Sequence, residues 1–401
     1  MADQRELDAE EREQHELVRP PDLNEEANRS STRLELFFDL AFVLFVAQTA
    51  DLLAQDASWS AAAAFAALMT VGWWSWASGT LYANRFDTDD VAFRALTLLG
   101  MAGVVGMAAS VTEVSGPTGR WFALGYTLVR LGLVLGYLRA WRHVPEARPS
   151  ILPYLAGHAL GGAIWLVSVF VPVPARFVLW GVGLVVDLAT PALAARTRGG
   201  VPLHVEHLPE RFALFMILVL GESVAGVATG LHDGGWAPLV VVSAALAFLV
   251  TATAWWLYFD FSGGAAKRRL LEEEDETKGG VHDLYLYAHL PIVIGLAGLA
   301  VGLEHAVLHG ADPHLEPGAR AVLGAGLALY LASTALLQAL LTGRTGAALL
   351  WPGGGVPLVL LATWADLRPP VLLALLGAVL LAGLATGIAQ HRAGMVRTAK
   401  V

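Results

Sequence analysis

Twelve apolar runs of about 20 residues follow one another through the 401 residues of this chain. About 20 residues is the length that an α-helix needs to cross the ~30 Å hydrocarbon core of a bilayer. Only 15% of the residues are charged, whereas a soluble domain carries about 25%. The sequence therefore predicts an all-α polytopic membrane protein with twelve transmembrane helices. The predicted spans lie near residues 34–54, 60–82, 92–112, 121–141, 151–172, 176–195, 211–231, 236–260, 284–308, 319–341, 345–365 and 370–390.

The arginines and lysines predict the orientation of these spans. With the N-terminus in the cytoplasm, the inner segments hold 21 basic residues and the outer loops hold four. Basic residues concentrate on the cytoplasmic side of membrane proteins, so both termini are expected there. Residues 1–33 lack the apolar core of a signal peptide and are expected to form a disordered or surface-lying tail. Residues 196–210 are expected to form a cytoplasmic connecting loop, and residues 391–401 are expected to form a second cytoplasmic tail.

The two halves of the membrane region resemble each other. The string from Trp180 to Thr190 aligns with that from Leu376 to Thr386, and Gly100–Gly103 aligns with Gly295–Gly298. We therefore expect two six-helix repeats, residues 34–195 and 211–390. Because six spans is an even number, the repeats should run in the same direction across the membrane.

Three ionisable residues fall near the middle of predicted spans: Arg130, Asp187 and Glu222. A charge at this depth costs about 2.5–3.5 kcal/mol on insertion scales, so such residues usually pair or line a wet path. One cation between two carboxylates forms a plausible compensating set. Two interpretations stay open: a substrate or proton site in a shared polar pocket, or an ion-pair lock that serves packing alone.

Further polar residues are expected at the two ends of the bundle. The predicted inner mouth, which could equally be a salt-bridge collar, comprises Glu35, Asp39, Arg94, Glu210 and Arg211. The predicted outer mouth comprises Glu113, Glu304 and His305. His158 and His289 lie inside spans, where they either form hydrogen bonds within the bundle or belong to a proton relay.

Residue types and motifs that are absent from the sequence narrow the range of functions that we expect. The chain has no cysteine and therefore no thiolate metal site or disulfide. Zinc-binding helices place histidines four residues apart, so the string His204, Glu206, His207 is expected to be a loop without metal. Phosphate-loop and G-x-S-x-G motifs are absent, and no basic stripe for nucleic acid is evident. We expect no cofactor, no metal and no enzymatic activity.

Three motifs carry a resemblance to the bacterial low temperature requirement A family. The string from Arg33 to Val43 (RLELFFDLAFV) resembles the opening signature of that family. Glu210-Arg211-Phe212 followed by Leu218–Ser223 resembles a second motif, and Tyr287–Pro291 followed by Gly302–Glu304 resembles a third. The resemblance implies a bacterial inner-membrane protein linked to growth in the cold, and it implies no substrate. A fainter likeness connects Phe37-Phe38-Asp39 with the first helix of potassium channels of the TMEM175 type.

Three functional hypotheses follow from these features. The first is an ion- or proton-coupled small-solute transporter or ion permease that uses the midplane charges. The second is a membrane sensor or scaffold that supports growth in the cold, and the third is a lipid-modifying enzyme at the inner collar. The expected partners are membrane lipids and a small solute or ion, with a homo-oligomer also compatible with the sequence.

Overall fold

The computed structural model describes residues 18–23, 32–87, 89–195, 207–263, 280–342 and 345–392. Most of the two predicted tails and of the connecting loop lie outside these residues, as do His204 and Glu206.

Twelve α-helices make up the described chain, and each coincides with one predicted span. Their bounds are α1 Arg33–Gln55, α2 Trp59–Arg85, α3 Val91–Ala108, α4 Gly119–His143, α5 Arg148–Ser168, α6 Ala175–Ala194, α7 His207–Asp233, α8 Pro238–Trp256, α9 Gly280–Leu308, α10 Pro317–Thr342, α11 Thr345–Trp364 and α12 Pro369–Arg392. A 3₁₀ turn, Pro145–Ala147, precedes α5, and a π-helix, Leu257–Gly263, extends α8. Two short strands, β1 Asp22–Leu23 and β2 Phe86–Asp87, pair antiparallel.

Ten of these helices are long and apolar enough to cross a membrane, which confirms the prediction of an all-α polytopic membrane protein. The two helices outside that set are α2 and α11. Helix α5 continues through Pro153, which lies inside it. Whether α2 and α11 also cross the membrane stays a prediction from the sequence.

The chain divides into two compact units. The first contains Met1–Phe42 and Trp74–Leu208, and the second contains Val43–Trp73 and Pro209–Val401. The proposed duplication of residues 34–195 and 211–390 stays a prediction.

Glycines bring helices into backbone contact in the first unit. A Cβ atom added at Gly103 of α3 would lie 2.5 Å from the carbonyl oxygen of Gly125 on α4, and the reverse distance is also 2.5 Å. Close approach of this kind is the reason that small residues concentrate at helix contacts in membranes. The glycines therefore fix the α3–α4 crossing and, with it, the position of α4.

The second unit uses the same device between α9 and α10. A Cβ atom at Gly302 would lie 2.4 Å from the Cα atom of Leu323, and one at Gly326 would lie 2.5 Å from the backbone nitrogen of Leu299. Because neither position has room for a side chain, the two helices pack backbone to backbone.

Side chains that the sequence encodes cap the first turns of α1 and α3. Asp90 precedes α3, and its Oδ1 accepts a hydrogen bond of 2.9 Å from the backbone N–H of Phe93. At α1, Thr32 and Glu35 form a reciprocal capping box, with distances of 2.8 Å and 3.2 Å between side-chain oxygens and backbone nitrogens. These caps satisfy N–H groups that the first turn of a helix leaves open.

Candidate functional site

Arg130 lies at the centre of a buried polar cluster in the first unit. It is 11 residues beyond Gly119, the first residue of α4, and therefore about 16 Å along the helix. Its Nε atom lies 3.3 Å from Oδ2 of Asp187 on α6. Its Nη1 donates a hydrogen bond of 3.0 Å to Oγ of Ser78 on α2. The predicted proximity of Arg130 and Asp187 is thus present in the structure, and both side chains are fully buried.

Tyr126 joins the cation and the carboxylate of this pair. Its hydroxyl donates a hydrogen bond of 2.8 Å to Oδ2 of Asp187 and accepts one from Nη2 of Arg130. The Arg130 guanidinium also lies over the Tyr126 ring, 4.4 Å from its centroid, in cation–π geometry. Tyr126 and Arg130 are four residues apart on one helix, a spacing that places both side chains on the same face. That spacing is the sequence signal for Tyr126, which our sequence analysis missed.

His158 of α5 completes the cluster through a single nitrogen atom. Its Nδ1 lies 3.3 Å from Nη1 of Arg130 and 3.4 Å from Oδ1 of Asp187. Arginine only donates hydrogen bonds, whereas an ionised aspartate only accepts them. Nδ1 can therefore accept a hydrogen bond from Arg130 when it carries no proton, or donate one to Asp187 when it does.

Two glycines of α5 make room for the charges. A Cβ atom at Gly161 would lie 2.8 Å from the Asp187 carboxylate, and one at Gly162 would lie 3.0 Å from Cβ of Arg130. Trp165, one turn further along α5, packs on the ring of Tyr126 with centroids 4.1 Å apart. The cluster is therefore enclosed by close packing, and Ser78, Tyr126, Arg130, His158 and Asp187 are all nearly inaccessible to solvent.

A series of aromatic rings connects His158 with the end of α2. The rings of His158 and Tyr137 lie 5.6 Å apart, and Tyr137 stacks on Tyr154 at 5.4 Å. The Tyr154 hydroxyl accepts a hydrogen bond of 2.8 Å from Nη2 of Arg85. Arg85 is thus a second buried arginine of the first unit, connected to the cluster through these rings, and its role could not be predicted from the sequence.

Glu222 belongs to the second unit. It lies beside apolar neighbours on α1 and α7, which are Val43, Val46, Phe215, Leu218 and Val219. Its carboxylate interacts electrostatically with Asp51, and both interact with Glu304 on α9. Arg130 and Asp187 belong to the first unit, so the predicted pocket shared by all three midplane charges stays a prediction.

The other histidines of the predicted sites have defined partners in the second unit. His289 is buried, with Nε2 2.9 Å from the hydroxyl of Tyr258 and Nδ1 2.7 Å from the carbonyl oxygen of Tyr285. Both ring nitrogens of His289 are therefore engaged. Nε2 of the half-buried His305 lies 3.1 Å from the carbonyl oxygen of Ala54. Glu113, the outer-mouth residue of the first half, is exposed in the turn before α4.

The predicted inner-mouth residues are distributed over both units. In the first unit, Asp39 accepts a hydrogen bond of 2.8 Å from Nε1 of Trp76, and Glu35 lies 3.7 Å from Nε2 of His207 in addition to its capping role. Arg94 pairs with Asp89, with 2.9 Å between Nε and Oδ1, on the exposed surface. In the second unit, Glu210 lies in the first turn of α7, and Arg211 is buried.

Among the described residues, no three or more histidine, aspartate or glutamate side chains are grouped so that they could hold a metal ion. The cluster of the first unit brings together a cation, a carboxylate, a phenol and an imidazole.

A polytopic helical membrane protein with a buried Arg–Asp–His cluster is the class that this fold and site define. A family model for the bacterial low temperature requirement A protein matches residues 30–389, and the chain belongs to that family. It is also 31% identical over 312 residues to an uncharacterized protein of Rhizobium meliloti (strain 1021), which covers 75% of each chain. The likeness to potassium channels is not supported by these matches.

Proposed function

We propose that this protein is an ion- or proton-coupled transporter of a small solute in the bacterial inner membrane. The observation that carries the proposal is the Arg130–Asp187–His158 cluster, which places a cation, a carboxylate and an imidazole together, buried in the middle of three helices. Ionisable residues at membrane depth are costly and usually serve a pathway or a proton relay.

The shared Nδ1 atom of His158 supplies two arrangements for such a relay. Without a proton on Nδ1, the lone pair faces the Nη1 donor of Arg130, and Asp187 keeps its hydrogen bond from Tyr126. With a proton on Nδ1, the imidazole donates toward Oδ1 of Asp187. Moving one proton therefore exchanges the partner of His158, and this supports a role for His158 and Asp187 in proton coupling.

The remaining features of the proposal rest on the sequence. The excess of basic residues in the inner segments supports cytoplasmic termini and twelve spans. The aligned glycine-rich strings support a parallel six-helix duplication. The absence of a catalytic motif supports a protein without enzymatic activity, in contact with lipids and a small solute or ion and compatible with a homo-oligomer.

A flux assay with purified protein in liposomes tests the function directly. We would measure uptake across a panel of ions and small solutes, with and without a pH gradient. His158→Gln and Asp187→Asn should lose the gradient-dependent component, because each removes one titratable group and preserves much of the side-chain shape. Glu146→Gln, in the exposed 3₁₀ turn before α5, is the matched control and should transport normally. Glu222→Gln tests separately whether the carboxylate of the second unit contributes.

The close packing of the cluster also favours a second function. A cation and carboxylate that are enclosed by hydrogen bonds can serve as a structural lock between α4 and α6. If folded His158→Gln and Asp187→Asn proteins transport as the parent does, the cluster is a lock, and the sensor or scaffold function becomes the better account.

A further inference from the structure

We propose that residues 19–23 form a strap that closes one end of the first unit over the Arg130–Asp187–His158 cluster and regulates access to it. The proposal rests on the proposed transport function, and the proposed topology places this end of the unit in the cytoplasm. A two-stranded sheet, an ion pair and one apolar contact hold the strap against the first unit.

A two-stranded sheet forms the first attachment. Residues Asp22 and Leu23 of β1 pair with Asp87 and Phe86 of β2, respectively. Strand β2 directly follows α2, so the pairing attaches the strap to the end of that helix. An isolated two-stranded pair is marginally stable, and a sheet of two residues per strand can therefore open at low cost.

Asp90 and Arg139 form the second attachment. Oδ2 of Asp90 accepts a hydrogen bond of 3.1 Å from the backbone N–H of Arg19, and Nη2 of Arg139 donates to the carbonyl oxygen of Arg19. The two side chains also pair with each other, with 2.6 Å between Nη2 and Oδ2. One ion pair thus binds both backbone groups of a strap residue, which fixes the strap to the ends of α3 and α4.

Leu23 connects the strap with the buried side chains next to the cluster. It packs against a buried group of side chains that includes Tyr82, Phe86, Tyr137 and Tyr154. Tyr137 and Tyr154 are the rings that contact His158, at 5.6 Å and 6.3 Å between centroids. Leu23 therefore packs against the same buried group that supplies the two rings in contact with His158. Opening of the strap would remove one side chain that covers this group.

Engineered cysteines can test the docked strap because the parent chain contains no cysteine. Asp22→Cys and Asp87→Cys occupy directly opposed positions in the sheet. Opposed residues of an antiparallel pair have Cα atoms about 4.5–5.5 Å apart, which a disulfide can span. The control pair is Asp22→Cys with Asp89→Cys, two residues further along the chain. In membranes under mild oxidation, the opposed pair should form its disulfide at least tenfold faster than the control. Equal rates would show that the strap does not dock as described.

Accessibility of the aromatic series tests closure without any transport assay. Leu155→Cys places a reporter that packs against the same buried group, and a membrane-impermeant maleimide is the probe. Adding Arg139→Gln, which removes the charged anchor of Arg19, should raise its labelling rate about tenfold, equivalent to ~1.4 kcal/mol. Arg142→Gln, which removes an exposed charge three residues further along α4, is the control and should leave the rate unchanged. An unchanged rate in the Arg139→Gln protein would overturn the strap.

Flux then separates failure of the strap from failure of the proposed function. In liposomes, the oxidised Asp22→Cys/Asp87→Cys protein should be inhibited and should recover on reduction. Unchanged flux after complete crosslinking would overturn the regulatory role of the strap while leaving transport intact. Absence of flux in the parent would count against the transport function, whereas the crosslinking and labelling results would still decide whether the strap closes this end of the unit.

Discussion

The guanidinium of Arg130 has four side-chain partners from four helices: Ser78, Tyr126, His158 and Asp187. Such an arrangement fixes the rotation of α2, α4, α5 and α6 about their own axes, because each helix must present one polar group to the same point. The cluster consequently has a structural effect whether or not it carries protons. Its stability contribution can be separated from its function by substitution.

We expect Arg130→Met to lower the free energy of unfolding by about 3–5 kcal/mol, since it leaves the buried Asp187 carboxylate without its cation. The double variant Arg130→Met/Asp187→Asn should be more stable than the single one, because it removes the uncompensated charge. Reversible unfolding in mixed micelles would measure both. Strict additivity of the two substitutions would contradict a coupled pair.

Asp90 gives a pH-dependent prediction at the aqueous end of the first unit. Burial raises the pKa of its carboxyl, but hydrogen bonds from Arg139 and from the N–H groups of Phe93 and Arg19 outweigh burial, so the pKa lies below its ordinary value. A folded-state pKa below the unfolded one adds stability that is complete above the ordinary aspartate pKa, ~4, and is lost as the pH falls through the folded value.

The midpoint of thermal unfolding should therefore be higher for the parent than for Asp90→Asn at neutral pH. This difference should shrink as the pH falls below ~4. Asp89→Asn is the matched control: it removes an exposed pair with Arg94 and should change the midpoint little at any pH. A difference for Asp90→Asn that stays constant down to acid pH would show that the ion pair is not its source.

The depth of a residue along its helix could be predicted from the sequence. For Arg130 and Asp187, this depth was enough to predict that the two side chains lie close together. Rotation about the helix axis could not be predicted in the same way, because the apolar composition of these spans gives little amphipathic signal in lipid. The position of His158 between the two charges depends on the rotation of three helices together. Ser78 was missed for the same reason, since a serine in a span has no charge that must be compensated.

At the scale of elements, backbone contact through glycine determines how α3 and α4 cross. Gly125→Ala would place a Cβ atom 2.5 Å from the carbonyl oxygen of Gly103, so the helices would have to separate. We expect a loss of about 1–3 kcal/mol in the free energy of unfolding, as for other overpacked contacts. Gly100→Ala is the control on α3, where an added Cβ meets nothing within 4 Å, and it should be neutral or stabilising. Equal effects of the two variants would contradict the close crossing.

The helices themselves were predictable to within a few residues because the bilayer sets both their length and their composition. Their caps were also readable: Thr32 and Glu35 have the spacing of a capping box, and Asp90 directly precedes an apolar run. The pairing of β1 with β2 could not be predicted from the sequence, because strands of two residues are too short to show an alternation of polar and apolar side chains. The sequence therefore does not predict the strap, which is seen only in the structure.

At the scale of the whole molecule, the unequal distribution of basic residues predicts which side of the membrane each turn faces. Asp56 and Asp89 lie beyond the two ends of α2, and both are exposed. Asp366, also exposed, lies between α11 and α12. Labelling at these three positions therefore tests whether α2 and α11 cross the membrane. These are the two helices that are not among the ten long and apolar enough to do so.

Single cysteines at these positions would establish the topology in the cysteine-free chain. We expect Asp56→Cys and Asp366→Cys to react with an impermeant maleimide in intact spheroplasts, and Asp89→Cys to react only after the cells are opened. The reason is that twelve crossings with cytoplasmic termini put the turns before α2 and after α11 outside and the turn after α2 inside. Labelling of Asp56→Cys and Asp89→Cys from the same side would show that α2 does not cross. Labelling of Asp366→Cys only in opened cells would remove α11 from the count and, with α12 still crossing, place the C-terminus outside.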